Sequence, residues 1–391
     1  MRSPESESDS GARTRGCRAV ARIAATLLIG CTLGWTSPAR ASQEEPASRS
    51  GIRGLALGRN HACAVIDSGS VTCWGSNIFG QVANPERRMF DSPVVVDGLA
   101  EAVAIAAGLF TTCAVFSDGS VKCWGQQQGI KEVKADPTPR PVPGIINAVQ
   151  IAGGWGHTCV LLKDATVGCW GRIPGSEVEK GTLRPIAIAG LDRVMGLTAG
   201  VDFSCALRAG GDVWCWGDNS VRQLGVNGVK RTLEPVRVAG ISGATTIAAG
   251  GVHACATLKD GTVRCWGDHS NGQLGVKASG KPSDTVTVEG ISSAQTVVAG
   301  DAHTCVLLRD KTVRCWGNNS EGQLGNGERE NSPTPVQPKG LPPTIALFAG
   351  KMRTCAVDQS RQMRCWGTDS FGVKDQTISL RSLVPVVVAF R

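Results

Sequence analysis

Fourteen of the sixteen cysteines obey one pattern: a Cys, nine residues, then Cys-Trp-Gly. The pairs are Cys63/Cys73, Cys113/Cys123, Cys159/Cys169, Cys205/Cys215, Cys255/Cys265, Cys305/Cys315 and Cys355/Cys365. Thiols so placed could close disulfides, pack as small apolar groups or ligate a metal. A turn centred near residue 68 sets Cys63 opposite Cys73 on adjacent antiparallel strands. Cross-strand Cβ atoms there lie about 4.5–5.5 Å apart, and local twist brings them within disulfide reach. The same holds for the other six pairs, so one disulfide per repeat is expected, each contributing about 2–3 kcal/mol. Zinc fits poorly, because there is no Cys-x-x-Cys and a single hairpin offers two ligands.

Other reactive residue types recur without converging. His61, His157, His253 and His303 share one repeat position, held elsewhere by Thr111, Phe203 and Arg353. A residue repeated around a ring reads as a hydrogen-bonded structural group, and no metal or catalytic site is expected from these four. His269 lies in a loop with no evident partner. Arg264, Arg314 and Arg364, with Lys122 at the equivalent place, form a basic series that reads as a solvated face. Nucleophile elbow, phosphate loop, His-Glu-x-x-His and calcium-loop patterns are all missing from the sequence. The chain is therefore expected to have no catalytic residues and no cofactor.

The 391 residues include 50 Gly, 10 Trp, 8 Phe and no Tyr, with 41% hydrophobic and 19% charged residues. That is a globular composition rather than a disordered one. The formal charge of +8 is partly an N-terminal effect, since six Arg fall in the first 41 residues. What remains is too mild to argue for nucleic acid. Residues 13–22 are Arg-rich, Ile23 to Trp35 are mostly apolar, and Ala39-Arg40-Ala41 supplies small residues. This is the layout of a signal peptide over 1–41, too short for a membrane span. Leu28-Ile29-Gly30-Cys31 offers a second reading, a lipid anchor at Cys31. Either way the chain is expected to be exported: secreted, periplasmic or held at the cell-envelope surface. Residues 42–51 read as a flexible lead-in.

The elements that position the cysteines follow from the repeat. Successive pairs step by 50, 46, 46, 50, 50 and 50 residues, while the spacing inside a pair never changes. In the second repeat, Ser92 to Val96, Ala102 to Ala107, Thr111 to Phe116 and Ser120 to Trp124 read as short strands, with Asp118-Gly119 as a hairpin turn. Seven four-stranded units with periodic Gly and Trp predict an all-β, seven-bladed β-propeller over 52–391. The seven tryptophans of Cys-Trp-Gly (Trp74, Trp124, Trp170, Trp216, Trp266, Trp316, Trp366) are expected to fill the gaps between blades. Because the first repeat lacks a preceding Pro-Val-Val-Val strand, Val384 to Val388 is expected to join the N-terminal blade and close the ring.

Ala-Gly-x-x-His-x-Cys-Ala-Leu, Asp-Gly-x-Val-x-Cys-Trp-Gly and Asn-x-x-Gly-Gln-Leu-Gly resemble the repeat of the regulator of chromosome condensation family. Gly250 to Gly275 and Gly300 to Gly325 carry the resemblance almost throughout. Repeats two and three lack Gly-Gln-Leu-Gly. The resemblance implies a binding scaffold, and its exported bacterial type includes a secreted β-lactamase-inhibitor propeller that binds through the loops of one face. Nucleotide exchange on a small GTPase, the role of the eukaryotic nuclear relative, fits poorly with export and seven cysteine pairs. An extracellular enzyme acting on a polymer is the remaining alternative.

The expected partner is thus another protein, bound by a monomer. The short loops before the His position are expected to ring one mouth of the propeller. They and the next position carry Phe110, Trp155 and Phe203 on neighbouring blades, with Arg59, Asp202 and Lys351 alongside. Large aromatics concentrate at interface hot spots, so these six are the candidate partner-binding residues, with Trp155 the main anchor.

Overall fold

The computed structural model describes residues 51–126, 135–176, 181–277, 283–368 and 381–388. The signal peptide, the Cys31 alternative and the lead-in up to residue 50 lie outside these. Every regular element among the described residues is a strand, and the strands form seven four-stranded antiparallel sheets. Blade one comprises Ile52–Leu57, His61–Ile66, Val71–Ser76 and Met89–Val95, hydrogen-bonded in that order. Blade two begins at Ala102–Ala107, blade three at Ala148–Gly153 and blade four at Val194–Ala199. Blades five to seven begin at Ala244–Ala249, Ala294–Ala299 and Thr344–Gly350. These first strands are the innermost, since the ends of all seven line one central cavity.

Two expectations about strand order are corrected. Ser92 to Val96 belongs to the outer strand of blade one, not to the second unit. Likewise Val384 to Val388 does not join the N-terminal blade: Arg381–Val388 pairs with Met363–Thr368 as the outer strand of blade seven. The physical reason lies in each Cys-Trp-Gly strand, which leaves an edge free after pairing with its hairpin partner. The Pro-Val-type segment that follows in sequence reaches that edge first, so each blade is completed within its own repeat.

The ring closes through side chains instead. The Arg353 guanidinium Nη2 donates to the carbonyl oxygens of Gly58 (2.6 Å) and His61 (2.8 Å). Arg361 Nη1 lies 3.2 Å from Asp67 Oδ2. Leu55, Ala62, Ala64 and Trp74 of blade one pack with Cys355, Val357, Met363 and Val388 of blade seven.

The core is a set of such seams rather than one centre. All seven expected disulfides are present: Cys63–Cys73, Cys113–Cys123, Cys159–Cys169, Cys205–Cys215, Cys255–Cys265, Cys305–Cys315 and Cys355–Cys365. Each joins directly opposed residues of one hairpin, as Cys169 opposes Cys159 and Cys365 opposes Cys355. Their Cα atoms are 4.1 Å apart in those two pairs and 4.0 Å at Cys205–Cys215. Each tryptophan packs in a cluster with a disulfide cysteine of the preceding blade. Trp124 meets Cys63 and Cys73, Trp216 meets Cys159 and Cys169, and Trp266 meets Cys205 and Cys215. Trp316 does so with Cys255 and Cys265, and across the closure Trp74 packs with Cys355 and Cys365. Gly in Cys-Trp-Gly is fixed by backbone geometry. Gly75, for example, has φ +96°, and a Cβ there would meet the Asn60 carbonyl oxygen at 2.6 Å.

Candidate functional site

The first place to look for chemistry is the His position, and the structure makes it a fastener between blades. His61 Nε2 lies 2.8 Å from Thr112 Oγ1, His157 Nε2 2.7 Å from Ser204 Oγ, and His253 and His303 Nε2 each 2.9 Å from Thr304 and Thr354 Oγ1. Every one of these hydroxyls belongs to the next blade. Burial lowers the four imidazoles from 6.5, to about 3 for His61, His157 and His303 and to about 4 for His253. They are neutral at physiological pH and hold seams rather than transfer protons. Where the next blade carries Ala254 in place of a hydroxyl, Phe203 replaces the His. Where it carries Ala62, Arg353 does. The His ring also explains Gly in Ala-Gly-x-x-His, because a Cβ on Gly250 would strike the ring.

A second fastener comes from Gly-Gln-Leu-Gly. Trp124 Nε1 donates to Gln81 O (3.0 Å), Trp266 to Gln223 O (3.0 Å), Trp316 to Gln273 O (2.9 Å) and Trp366 to Gln323 O (2.9 Å). The loop's aliphatic residue (Val82, Leu224, Leu274 or Leu324) is buried against the same tryptophan. Asn77, Asn219 and Asn319 brace these loops by accepting the backbone N–H of Val82, Leu224 and Leu324. His269 takes the Asn place in blade five and is buried.

The loops between first and second strands converge on one mouth. The central cavity there measures about 300 Å³ and is lined by Arg59, Trp155, Val201, Asp301 and Lys351, among others. Backbone hydrogen bonds link neighbouring loops: Trp155 N to Val201 O (3.4 Å), Val201 N to Gly251 O (2.9 Å), Gly251 N to Asp301 O (3.0 Å) and Asp301 N to Lys351 O (2.9 Å). Inside this frame the Arg59 guanidinium lies over the Trp155 ring, 5.1 Å from its centroid. Burial raises the Asp301 carboxyl, against the pull of Lys351, Arg59 and Arg353. Burial, followed by the nearby Arg59 charge, lowers Lys351, and Asp301 opposes that shift. The mouth therefore combines one half-buried aromatic face with two cations and one carboxylate.

Of the six candidate residues, the structure brings Arg59, Trp155 and Lys351 together. Phe110 lies outside the cavity and packs against Phe79 with the rings tilted by 40° and their centroids 4.4 Å apart. Asp202 is half-buried and does not line the mouth. Phe203 is corrected: it is fully buried, because it holds the His position and its side chain points into the seam. Asp301 belongs to the mouth; its signal was its place in the same Gly-x-x slot as Trp155. The paired cysteines stand apart from the mouth. Cys159 and Cys169 of blade three, and Cys355 and Cys365 of blade seven, are buried in their seams as cross-links and are no part of a binding site. The basic series does not converge, since Arg264 donates to Gly240 O and Arg364 pairs with Asp358. Among the described residues no group of three or more His, Cys, Asp or Glu is placed to hold a metal.

The "Regulator of chromosome condensation (RCC1) repeat" pattern matches residues 52–81, 102–128, 196–223, 244–273 and 295–323, and in a longer form 210–257 and 312–357. No curated protein matches the chain in sequence. Among solved structures, the chain is similar to Prp20p from Saccharomyces cerevisiae, described with its binding to Gsp1p and histones (TM-score 0.67, 23% identity, 76% of this chain and 80% of that one). It is also similar to human WBSCR16 (TM-score 0.73, 19% identity, 82% and 95%). A third likeness is to the CRINKLY WD40 ectodomain of the Arabidopsis thaliana receptor kinase ACR4 (TM-score 0.51, 22% identity, 85% and 98%). At these identities the likeness is one of fold. The repeat pattern covers half of this chain, in register with blades that pair as the repeat requires, and the chain belongs to the regulator of chromosome condensation repeat family.

Proposed function

We propose that this chain is an exported protein-binding scaffold, secreted or surface-anchored, which works as a monomer and acts by binding rather than catalysis. The observation that carries the reading is Trp155: a half-buried indole under Arg59, in a mouth ringed by loops of all seven blades. Rigidity supports it. Seven disulfides and the linked mouth loops leave little ordering entropy to lose on association. A small apolar patch lies apart from the cavity, where Ile78 is 61% exposed next to Phe79, whose ring is tilted against Phe110. Structural disulfides are stable outside reducing compartments, which supports export. Prp20p, of the same fold, binds proteins.

The test is capture of a partner from native envelope or medium, repeated with Trp155→Ala. The substitution is expected to weaken binding by about 2 kcal/mol or more while thermal stability stays nearly unchanged. Lowered stability with intact binding would make Trp155 a packing residue and move the interface elsewhere.

A further inference from the structure

The mouth loops of five blades are tied into a frame, and the frame stops where two cations stand. Trp155, Val201, Gly251, Asp301 and Lys351 hold the same place in successive loops, and each of the first four donates its backbone N–H to the carbonyl oxygen of the next. Arg59 and Leu109 hold that place in blades one and two. Among the described residues the N–H groups of Lys351, Arg59 and Leu109 find no acceptor, so the unlinked arc runs without a break from blade seven to blade three.

Arg59 and Lys351 are both half-buried and both line the central cavity of about 300 Å³. Neither forms an ion pair among the described residues. They also repel each other, since the Arg59 charge adds to burial in lowering Lys351. Asp301 lines the same cavity and attracts both, yet two cations against one carboxylate leave a surplus of one positive charge. Beyond the lining, Arg353 and Glu321 act on Lys351 in opposite directions and do not remove that surplus. A partly desolvated charge without a counter-ion is unfavourable, and a carboxylate brought to it recovers the loss. The walls leave room for one: Ala106, Ala199, Gly200 and Ala299 line the cavity below the charges.

We infer that the mouth seats an acidic side chain, an aspartate or glutamate on a projecting segment of the partner protein, with its carboxylate at Arg59 and Lys351 and its stem against Trp155. The inference rests on the mouth being the binding surface and adds the chemistry that this surface selects. Glutamine in the same place supplies the acceptor oxygen without the charge, so acid is preferred over its amide.

The test uses the full chain and acetyl-Gly-Glu-Gly-amide, followed through the indole N–H resonances, with Trp155 assigned from Trp155→Phe. Saturable binding in the millimolar range that shifts the Trp155 indole is expected at low salt. The peptide with Gln in place of Glu should bind about tenfold more weakly, as expected for hydrogen bonds to a charged group. Lys351→Met and Arg59→Gln should each bring the Glu peptide close to the Gln peptide. Raising salt to about 0.5 M should weaken only the Glu peptide, a readout that needs no variant to fold. Three results overturn the proposal: no saturable shift up to about 50 mM peptide, corresponding to negligible affinity; equal affinity of the Glu and Gln peptides; or sodium acetate binding as tightly as the Glu peptide, which would make the seat one for free small anions. The mouth reading fails by a different result, partner capture that survives Trp155→Ala. Capture lost in Trp155→Ala but kept in both charge variants would leave the mouth as the interface and remove the acidic side chain from it.

Discussion

The seam between blades five and six and the seam between blades two and three share the same hairpins and the same tryptophan position. The first is fastened three times over: His253 to Thr304, Thr304 and Trp316 to the Gln273 carbonyl, and Leu274 buried behind them. The second has none of these among the described residues and holds a cavity instead. Blades are thus stable units, each pinned by its own disulfide, and the seams are where this sequence varies. The lesson is that short loops and single side chains, rather than strands, set how tightly neighbouring blades join. A family built this way can loosen one seam without losing the ring.

Acid separates the two kinds of seam most strongly. The four fastening histidines have folded values of about 3 to 4, below the ordinary 6.5. Between those limits the unfolded chain binds more protons, so stability is complete above about pH 6.5 and falls as pH drops toward 4. Each histidine costs up to about 1.4 kcal/mol per pH unit there, or about 5 kcal/mol per unit for four. The turn carboxylates Asp118, Asp164, Asp260 and Asp310 are lowered by Ser and Thr hydrogen bonds, so their loss sets in only toward the acid end of this window, where the raised Asp301 carboxyl works the other way. Denaturant midpoints from pH 7.5 down to 4 read the slope. Copying the Phe203/Ala254 pair into seam five–six, by His253→Phe with Thr304→Ala, should remove about a quarter of it. A flat profile in the unaltered chain would break the comparison.

The sequence made some of this legible and hid the rest, for identifiable reasons. The invariant ten-residue step from Cys63 to Cys73 defines a hairpin, and seven copies, down to Cys355 and Cys365, define the ring, so fold and disulfides followed from local spacing. A repeat of 50 residues has no natural starting point, however. Val384 to Val388 could pair backward with its own repeat or forward with the first, and only the free edge of Met363–Thr368 decides. Phe203 and Trp155 lie in equivalent loops two positions apart, Phe203 at the His position and Trp155 level with Val201, and that offset sends Phe203 into the seam while Trp155 faces the mouth. The seam fasteners were least visible, because the contacts that make them span 31 to 43 residues. Pairing His positions with the hydroxyl or Ala of the next repeat was open to inspection and would have exposed Phe203 as a core residue.

Reduction probes the same contrast at intermediate size. Cys123 lines the cavity and is partly exposed, whereas both cysteines of the Cys159–Cys169, Cys255–Cys265 and Cys305–Cys315 pairs are fully buried. Under native conditions a mild reductant should open Cys113–Cys123 before any other pair, as read by alkylation and peptide mass mapping. Its loss should cost about 2–3 kcal/mol for so short a loop. Should a pair in blades five or six open first, seam two–three is closed to solvent, and both its looseness and its accessibility are refuted.

The smallest expected effect concerns the turns that close each hairpin on the far face. In blade five Gly261 has φ +82° and donates to the Leu258 carbonyl oxygen (2.9 Å). In blade six Lys311 makes the equivalent bond to Leu308 O (3.0 Å) with φ +71°. Asp310 still accepts from Thr312 N (2.9 Å) and Thr312 Oγ1 (2.7 Å), so the turn keeps its shape despite the side chain. An L residue in this left-handed region is strained by about 1–2 kcal/mol. Glycine relieves the strain and loses about 0.5–1 kcal/mol of it to greater freedom in the unfolded chain. Lys311→Gly should therefore stabilise the protein by about 0.5 kcal/mol, and Ala165→Gly, at φ +66°, by a similar amount. The reverse change, Gly261→Lys, should cost more than Lys311→Gly gains, because a Cβ there would lie 2.4 Å from the Ser292 carbonyl oxygen. Denaturant midpoints of the three variants decide it. If Lys311→Gly destabilises, unfolded-state entropy outweighs backbone strain at this turn, and the well-fastened blades carry no local weakness there.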